Sequence, residues 1–298
     1  MNPVLQIESI SKKFGPIQAL DKVSLSVPAG SVFGLLGPNG SGKTTLLGIV
    51  LDIIRAGSGS YRWFGQPGSA AMRKKIGSLL ETPNFYPYLS AEQNLRITAA
   101  IKDHDGSGIE GALQLLQLSD RKKSVFSTYS LGMKQRLAIA GCLSTTPNVL
   151  VLDEPTNGLD PEGIADVRNL IKKLNQQGKT IIIASHLLDE IEKVCTHVAI
   201  LRKGRLIKAG PVEEILGKEE VVEVGSEDMD LLFASLRDFP GSLRIQREGA
   251  LVKVYFPRGQ ARPGEVSKYC MDKGLTLTHL QVSRKTLEAS FFELIQHP

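Results

Sequence analysis

The 298-residue sequence holds only three cysteines, Cys142, Cys195 and Cys270, far apart and with no CxxC pair. So small and scattered a set builds neither a disulfide framework nor a thiolate zinc site, and a reduced, cytoplasmic chain is expected. No apolar run approaches the roughly 18 residues of a membrane helix, and the first residues lack the apolar core of a signal peptide. The chain is therefore expected not to span a membrane by itself. An excess of charge of one sign is also small. There are 36 basic and 31 acidic residues, a net +5, and residues 221–298 hold ten of each, so the whole excess lies before them. Basic groups such as Arg73-Lys74-Lys75 and Arg121-Lys122-Lys123 come with no recognition motif; they are read as solvated faces, and no nucleic-acid partner is expected. With 42% hydrophobic and 22% charged residues the composition is that of a globular protein and excludes a disordered chain.

Against that plain background one stretch stands out, Gly37-Pro38-Asn39-Gly40-Ser41-Gly42-Lys43-Thr44-Thr45. An apolar run, Val32 to Leu36, precedes it and another, Leu46 to Leu51, follows, so it reads as strand, glycine-rich turn and helix start. Glycines let successive backbone N–H groups turn toward one point, and such a concavity binds an anion. The helix behind aims its positive dipole end at the same point. Lys43 adds a charge able to reach the outer phosphates of a nucleotide, and the Thr44 hydroxyl is a hard oxygen suited to magnesium. A chance glycine turn before a buried helix is the bland alternative, and the flanking pattern argues against it.

Downstream, Val149-Leu150-Val151-Leu152 is a continuous apolar run of the kind found in buried parallel strands, and it ends in Asp153-Glu154-Pro155. Ligand sites of open α/β sheets lie at that carboxyl edge. Asp153 is placed to hold hydrated magnesium, leaving Glu154 to orient or deprotonate an attacking water. An acidic cap on the next helix is the competing reading, but Pro155 and its loop intervene.

The rest of the chain divides in two. Alternating segments Leu5 to Phe14 and Ala19 to Val27 predict strands, as do Gly59 to Gly65 and Ile76 to Glu81. Helices are expected at 91–101, 109–118, 131–143, 161–177 and 187–195, with strands at 180–184 and 198–202, a parallel sheet covered by helices. After Gly217 the pattern becomes βαββαβ, with a hairpin around Glu248-Gly249 and a final helix 286–296. That order predicts a small ferredoxin-like α+β domain. The expected domains are 1–217 and 218–298, the first with a helical subdomain at about 83–143.

Two further segments, Tyr129-Ser130-Leu131-Gly132-Met133-Lys134-Gln135-Arg136 and Ser185-His186, complete an order of motifs that resembles the ATP-binding cassette (ABC) transport ATPases over residues 4 to about 215. The resemblance implies a P-loop ABC ATPase fold with an N-terminal antiparallel β subdomain and a helical insert. It implies ATP and Mg2+ as cofactors, with Lys43 and the backbone of residues 40–45 on the phosphates, and Thr44 and Asp153 on the metal. Glu154 becomes the general base, His186 a γ-phosphate contact and Phe14 an adenine platform. A core aromatic ending a strand is the other reading of Phe14. Ser130 and Gly132 would contact the γ-phosphate bound to a second subunit, and Asp160 would lie in the loop linking the two sites. Taken alone, Ser130 and Asp160 are also ordinary helix caps.

The sequence departs from the family's pattern in three places. Glu81 stands where the family has a magnesium-binding glutamine; a carboxylate can ligate the metal but cannot donate a hydrogen bond. Leu131 replaces a glycine, and Met133-Lys134 replaces Gln-Arg. Glutamate at that position followed by Asn84-Phe85-Tyr86-Pro87-Tyr88 resembles the exporters that include bacitracin and lantibiotic self-protection pumps. The implied partners are a second ATPase subunit and separate membrane permease subunits, placing the chain on the cytoplasmic face of the membrane. Phe85, Tyr86 and Tyr88 are docking candidates for the permease, or else core residues. A rival reading, a cytosolic cassette acting on ribosomes or nucleic acid, lacks the second cassette or coiled coil that such proteins carry. An inert nucleotide-binding scaffold is opposed by Lys43, Asp153, Glu154 and His186 occurring together.

Overall fold

A computed structural model describes residues 3–80, 84–217, 219–284 and 286–296. The chain forms two compact units, one up to Val212 and the other from Glu213. Among the described residues no helix is long and apolar enough to cross a membrane.

The first unit opens with two long antiparallel strands, β1 (Pro3–Phe14) and β2 (Ile17–Pro28), then β3 (Val32–Leu36) and α1 (Lys43–Val50). Next come β4 (Ser58–Trp63), β5 (Gln66–Pro67), α2 (Ala70–Lys74), β6 (Ile76–Leu79), α3 (Ala91–Ile101), α4 (Ile109–Leu115) and α5 (Leu131–Leu143). The unit closes with β7 (Val149–Asp153), α6 (Pro161–Gln176), β8 (Thr180–Ser185), α7 (Leu188–Val194), β9 (His197–Arg202) and β10 (Arg205–Pro211). Strands β2, β1, β4 and β5 form an antiparallel sheet in that order. The second sheet runs β10-β9-β3-β8-β7-β6, parallel except for the edge strand β10. Every residue of β3, β7 and β8 is buried, which is why these strands read as unbroken apolar runs. Trp63, fully buried, donates from Nε1 to the Val50 carbonyl at 2.8 Å and so anchors the antiparallel sheet to the end of α1.

Two expectations need adjusting. The helix read over 109–118 ends at Leu115: Gln117 takes φ +56° and the Leu118 N–H bonds back to Leu113 O, a C-terminal cap made without glycine. The edge strand β10 and the short α2 were not anticipated.

After α8 (Val212–Leu216) the second unit contains β11 (Glu219–Ser226), α9 (Met229–Leu236), β12 (Arg244–Glu248), β13 (Leu251–Pro257), α10 (Pro263–Asp272), β14 (Leu277–Arg284) and α11 (Leu287–Gln296). Its sheet order, β12-β13-β11-β14 and wholly antiparallel, is ferredoxin-like. Alternate residues Val222, Val224, Val252, Val254 and Phe256 face a core closed by Leu232, Leu236, Val266 and Cys270 of α9 and α10.

Candidate active site

The carboxyl ends of β3, β7 and β8 converge on the glycine-rich loop. Gly42, at φ +106°, caps α1; a Cβ there would meet Ala19 O at 2.6 Å and Leu20 Cδ2 at 2.8 Å, so only glycine fits. The loop is braced from outside by Gly204, whose N–H donates to Ser41 O at 3.0 Å and whose carbonyl accepts from Asp21 N at 2.8 Å. Lys43 is buried at 6% exposure. Its Nζ donates to Gly37 O (2.7 Å) and Pro38 O (3.3 Å) and lies 3.9 Å from Glu154 Oε1. Burial lowers the Lys43 pKa, opposed by the nearby carboxylates of Glu154 and Asp153.

Thr44 Oγ1 donates to Asp153 Oδ2 at 2.8 Å, bringing together the two hard oxygens expected on magnesium. Ser41 Oγ, buried in the same loop, has no hydrogen-bond partner among the described residues. A cradle with two hard oxygens at its base and an unanswered hydroxyl fits a phosphate group and its divalent cation. Among the described residues no three His, Cys, Asp or Glu gather as a metal site, so such an ion would share its shell with the nucleotide's oxygens. Glu154 follows β7 in a left-handed turn at φ +48°, its N–H held by Ala184 O at 2.9 Å. This turn aims its carboxylate at His186: Nδ1 lies 2.9 Å from Glu154 Oε2 and donates when protonated. Lys43, Thr44, Asp153, Glu154 and His186 thus form one linked cluster.

Phe14, 46% exposed at the end of β1, is not a core aromatic; its ring has Lys12 Nζ 5.1 Å from the centroid. Ser130 caps α5, accepting from Met133 N at 3.3 Å, and Asp160 caps α6, accepting from Gly163 N at 2.9 Å. Both cap geometries are therefore real. Ser130, Gly132 and Asp160 line one depression of about 490 Å³ together with Leu131 and Arg136. Among the described residues no hydrogen bond or ion pair joins these three to the Lys43 cluster. Glu81 lies outside the described residues. Of the docking candidates, Phe85 packs edge-on against Phe126 (5.3 Å between ring centres), whereas Tyr86 and Tyr88 are exposed. The three cysteines are free and buried, and burial pushes the Cys142 thiol up to about 12, so no thiolate chemistry is available there. Gln135 escaped the sequence reading: buried in α5, its Nε2 donates to Pro155 O at 2.9 Å.

A glycine-rich loop, an acidic strand end and a histidine beside it on this sheet define a P-loop ATPase of the cassette type. The ABC transporter family matches residues 20–157. The bacitracin transport ATP-binding protein BcrA of Enterococcus faecalis is 34% identical over 99% of this chain and 97% of its own length. The lantibiotic transport ATP-binding protein SrtF of Streptococcus pyogenes is 37% identical over 77% of this chain and 96% of its own. A solved cassette described as a dimeric post-hydrolysis state bound to ADP and Pi is 26% identical, with a TM-score of 0.64, over 70% of this chain and 99% of that one. The chain belongs to the ATP-binding subunits of ABC transporters. It is an ATPase whose hydrolysis is coupled to transport.

Proposed function

We propose that two ATPase subunits close face to face on ATP, each bound phosphate chain being held by the cradle of one and by Ser130 and Gly132 of the other. The observation carrying this reading is the separation of the two clusters: one chain holds a Lys43 side and a Ser130 side, and among the described residues no hydrogen bond or ion pair joins Ser130, Gly132 or Asp160 to Lys43, Thr44, Glu154 or His186. Lys43 and the loop N–H groups bind the β- and γ-phosphates, and Phe14 stacks on the base. Thr44 and Asp153 would hold the magnesium ion, which supplies charge neutralisation to the phosphates. Glu154 takes a proton from the attacking water while His186 holds its carboxylate and reaches the γ-phosphate; Asp160 carries the state of one site toward the other. We read the unit from 218 onward as an accessory domain that regulates dimer or partner.

The chain works on the cytoplasmic face of the membrane, docked on permease subunits through the segment that exposes Tyr86 and Tyr88, and drives export of a peptide antibiotic. The similarity to bacitracin and lantibiotic transport proteins supports that substrate class. The test is Glu154→Gln. With ATP the variant is expected to accumulate as a dimer while hydrolysis falls by about 10²- to 10⁴-fold, the worth of a general base. Coexpressed with its permease, the parent raises resistance to bacitracin or a lantibiotic and the variant does not. A variant that stays monomeric on ATP with the permease supplied refutes the sandwich, and one that still hydrolyses at the parental rate refutes Glu154 as the base; unchanged resistance with the parent refutes the substrate class.

A further inference from the structure

The Ser130 end of α5 and the turn that carries Glu154 are separate in sequence but physically connected, at two levels. Leu131, where the family has glycine, lies against Gly158: a Cβ built on Gly158, at φ +74°, would sit 2.9 Å from Leu131 Cδ2. A little over one helical turn farther along α5, Gln135 donates from Nε2 to the Pro155 carbonyl at 2.9 Å, with both groups buried. Pro155 is the residue after Glu154, whose left-handed backbone aims its carboxylate at His186 and Lys43. A proline has no N–H to fix its own turn, so the carbonyl on its far side is where a neighbouring element can set the direction of this segment. Asn157 N–H closes the turn on Glu154 O at 3.1 Å.

The geometry points to Gln135 as a positioning residue: through Pro155 it ties the orientation of Glu154 to the α5 end that grips the partner's nucleotide, so that water is activated only when a second copy is engaged. This rests on the face-to-face reading above. The helix is a rigid rod; a small tilt of α5 as Ser130 meets a phosphate moves the Gln135 amide and, through one buried hydrogen bond, the peptide next to Glu154. Displacing a catalytic group by about 1 Å is enough to cost a hundredfold in rate. Ser130 and Gly132 touch the phosphate in this scheme, and Glu154 touches the water. Gln135 touches neither, which is what separates it from the catalytic residues.

The experiment compares the full chain with Gln135→Met, which keeps the length of the side chain and loses the donor, and Gln135→Glu, which keeps the shape and presents an acceptor to an acceptor. Both are measured for kcat, for KM and equilibrium ATP affinity, for melting temperature, and, combined with Glu154→Gln, for the ATP-trapped dimer. The expected result is a kcat lower by about 10- to 100-fold, with ATP affinity within twofold of the parent and the trapped dimer still formed. In the cycle with Ser130→Ala the two losses are less than multiplicative, because both act through one link. Parental kcat in both variants overturns the inference. So does a parallel loss of ATP affinity, dimer and melting temperature, which marks a bond serving only the fold. A Glu154→Gln control that neither slows hydrolysis nor traps a dimer refutes the sandwich itself, and is thereby distinguished from a failure of Gln135 alone.

Discussion

Replacing Lys43 with methionine keeps the stem and deletes the ammonium, and the structure sets opposing consequences with and without ATP. Without nucleotide the charge is buried, its Nζ answered by two loop carbonyls and by Glu154 at 3.9 Å. Losing charge-assisted hydrogen bonds costs about 1.5–3 kcal/mol, but relief of the desolvation that lowers the Lys43 pKa offsets part of it. The melting temperature of the variant alone should therefore move by only a few degrees. With ATP no offset exists: the same 1.5–3 kcal/mol is lost from the complex, roughly 10- to 150-fold in affinity. At an ATP concentration 100 times the parent's Kd, binding stabilises the parent by about 2.7 kcal/mol and the variant by about 0.3–1.4. Thermal unfolding against an ATP–magnesium titration measures this directly. The pH dependence adds an independent check. The unfolded chain keeps the Lys43 proton up to the ordinary value of 10.5, while the folded chain releases it at lower pH. Between those two points the unfolded state binds more protons, so the parent gains stability as pH rises through this alkaline window and the methionine variant lacks that gain. Equal stabilisation of both proteins by ATP, or a parent–variant gap that does not change across the window, refutes the argument.

Two other side chains separate binding from folding. Phe14→Ala removes an exposed ring and should weaken ATP by about 5- to 150-fold, the worth of one base–aromatic stack, while leaving tripolyphosphate binding and the melting temperature unchanged. Equal weakening of both ligands would show that Phe14 is not the base platform. Asn94, buried at 2%, accepts from Tyr86 N at 2.8 Å and donates to Tyr86 O (3.1 Å) and Ser90 O (3.0 Å), holding the segment with the exposed tyrosines against α3. Asn94→Ala takes the acceptor from Tyr86 N and the side-chain donor from Tyr86 O and Ser90 O, which keep only their backbone bonds from Leu89 N and Asn94 N, so urea unfolding should show a loss of about 1–3 kcal/mol with ATP affinity intact; an unchanged midpoint would refute the role.

How much of this could be read in the sequence depends on how far apart the interacting residues lie. The phosphate cradle spans nine consecutive residues whose chemistry is local, and Asp153 and Glu154 announce themselves because two adjacent carboxylates close an otherwise apolar run. The bounds of α3 and α5 were read correctly at both ends: Ser90 and Ser130 are caps, and Ser90 closes a full capping box with Gln93. The end of α4 was not, because Leu116 and Leu118 continue an apolar helical rhythm and the stop is made by a left-handed glutamine rather than glycine. Strand β10 was missed because Arg205 to Pro211 lacks clean alternation, as an edge strand paired on only one side can.

The link between α5 and Glu154 lay beyond sequence reading for a different reason. A glutamine between Lys134 and Arg136 looks like one more solvated position, since polarity in a helix ordinarily marks the wet face. Only the approach of α5 to the turn after β7 turns it inward, and a buried amide must then find a partner or destabilise the fold. The partner it finds is the backbone beside Glu154, twenty positions away. Residues that touch the nucleotide are constrained by chemistry and carry recognisable types. Those that relay one site's engagement to another are constrained by tertiary geometry, and their identity becomes meaningful only when that geometry is in view.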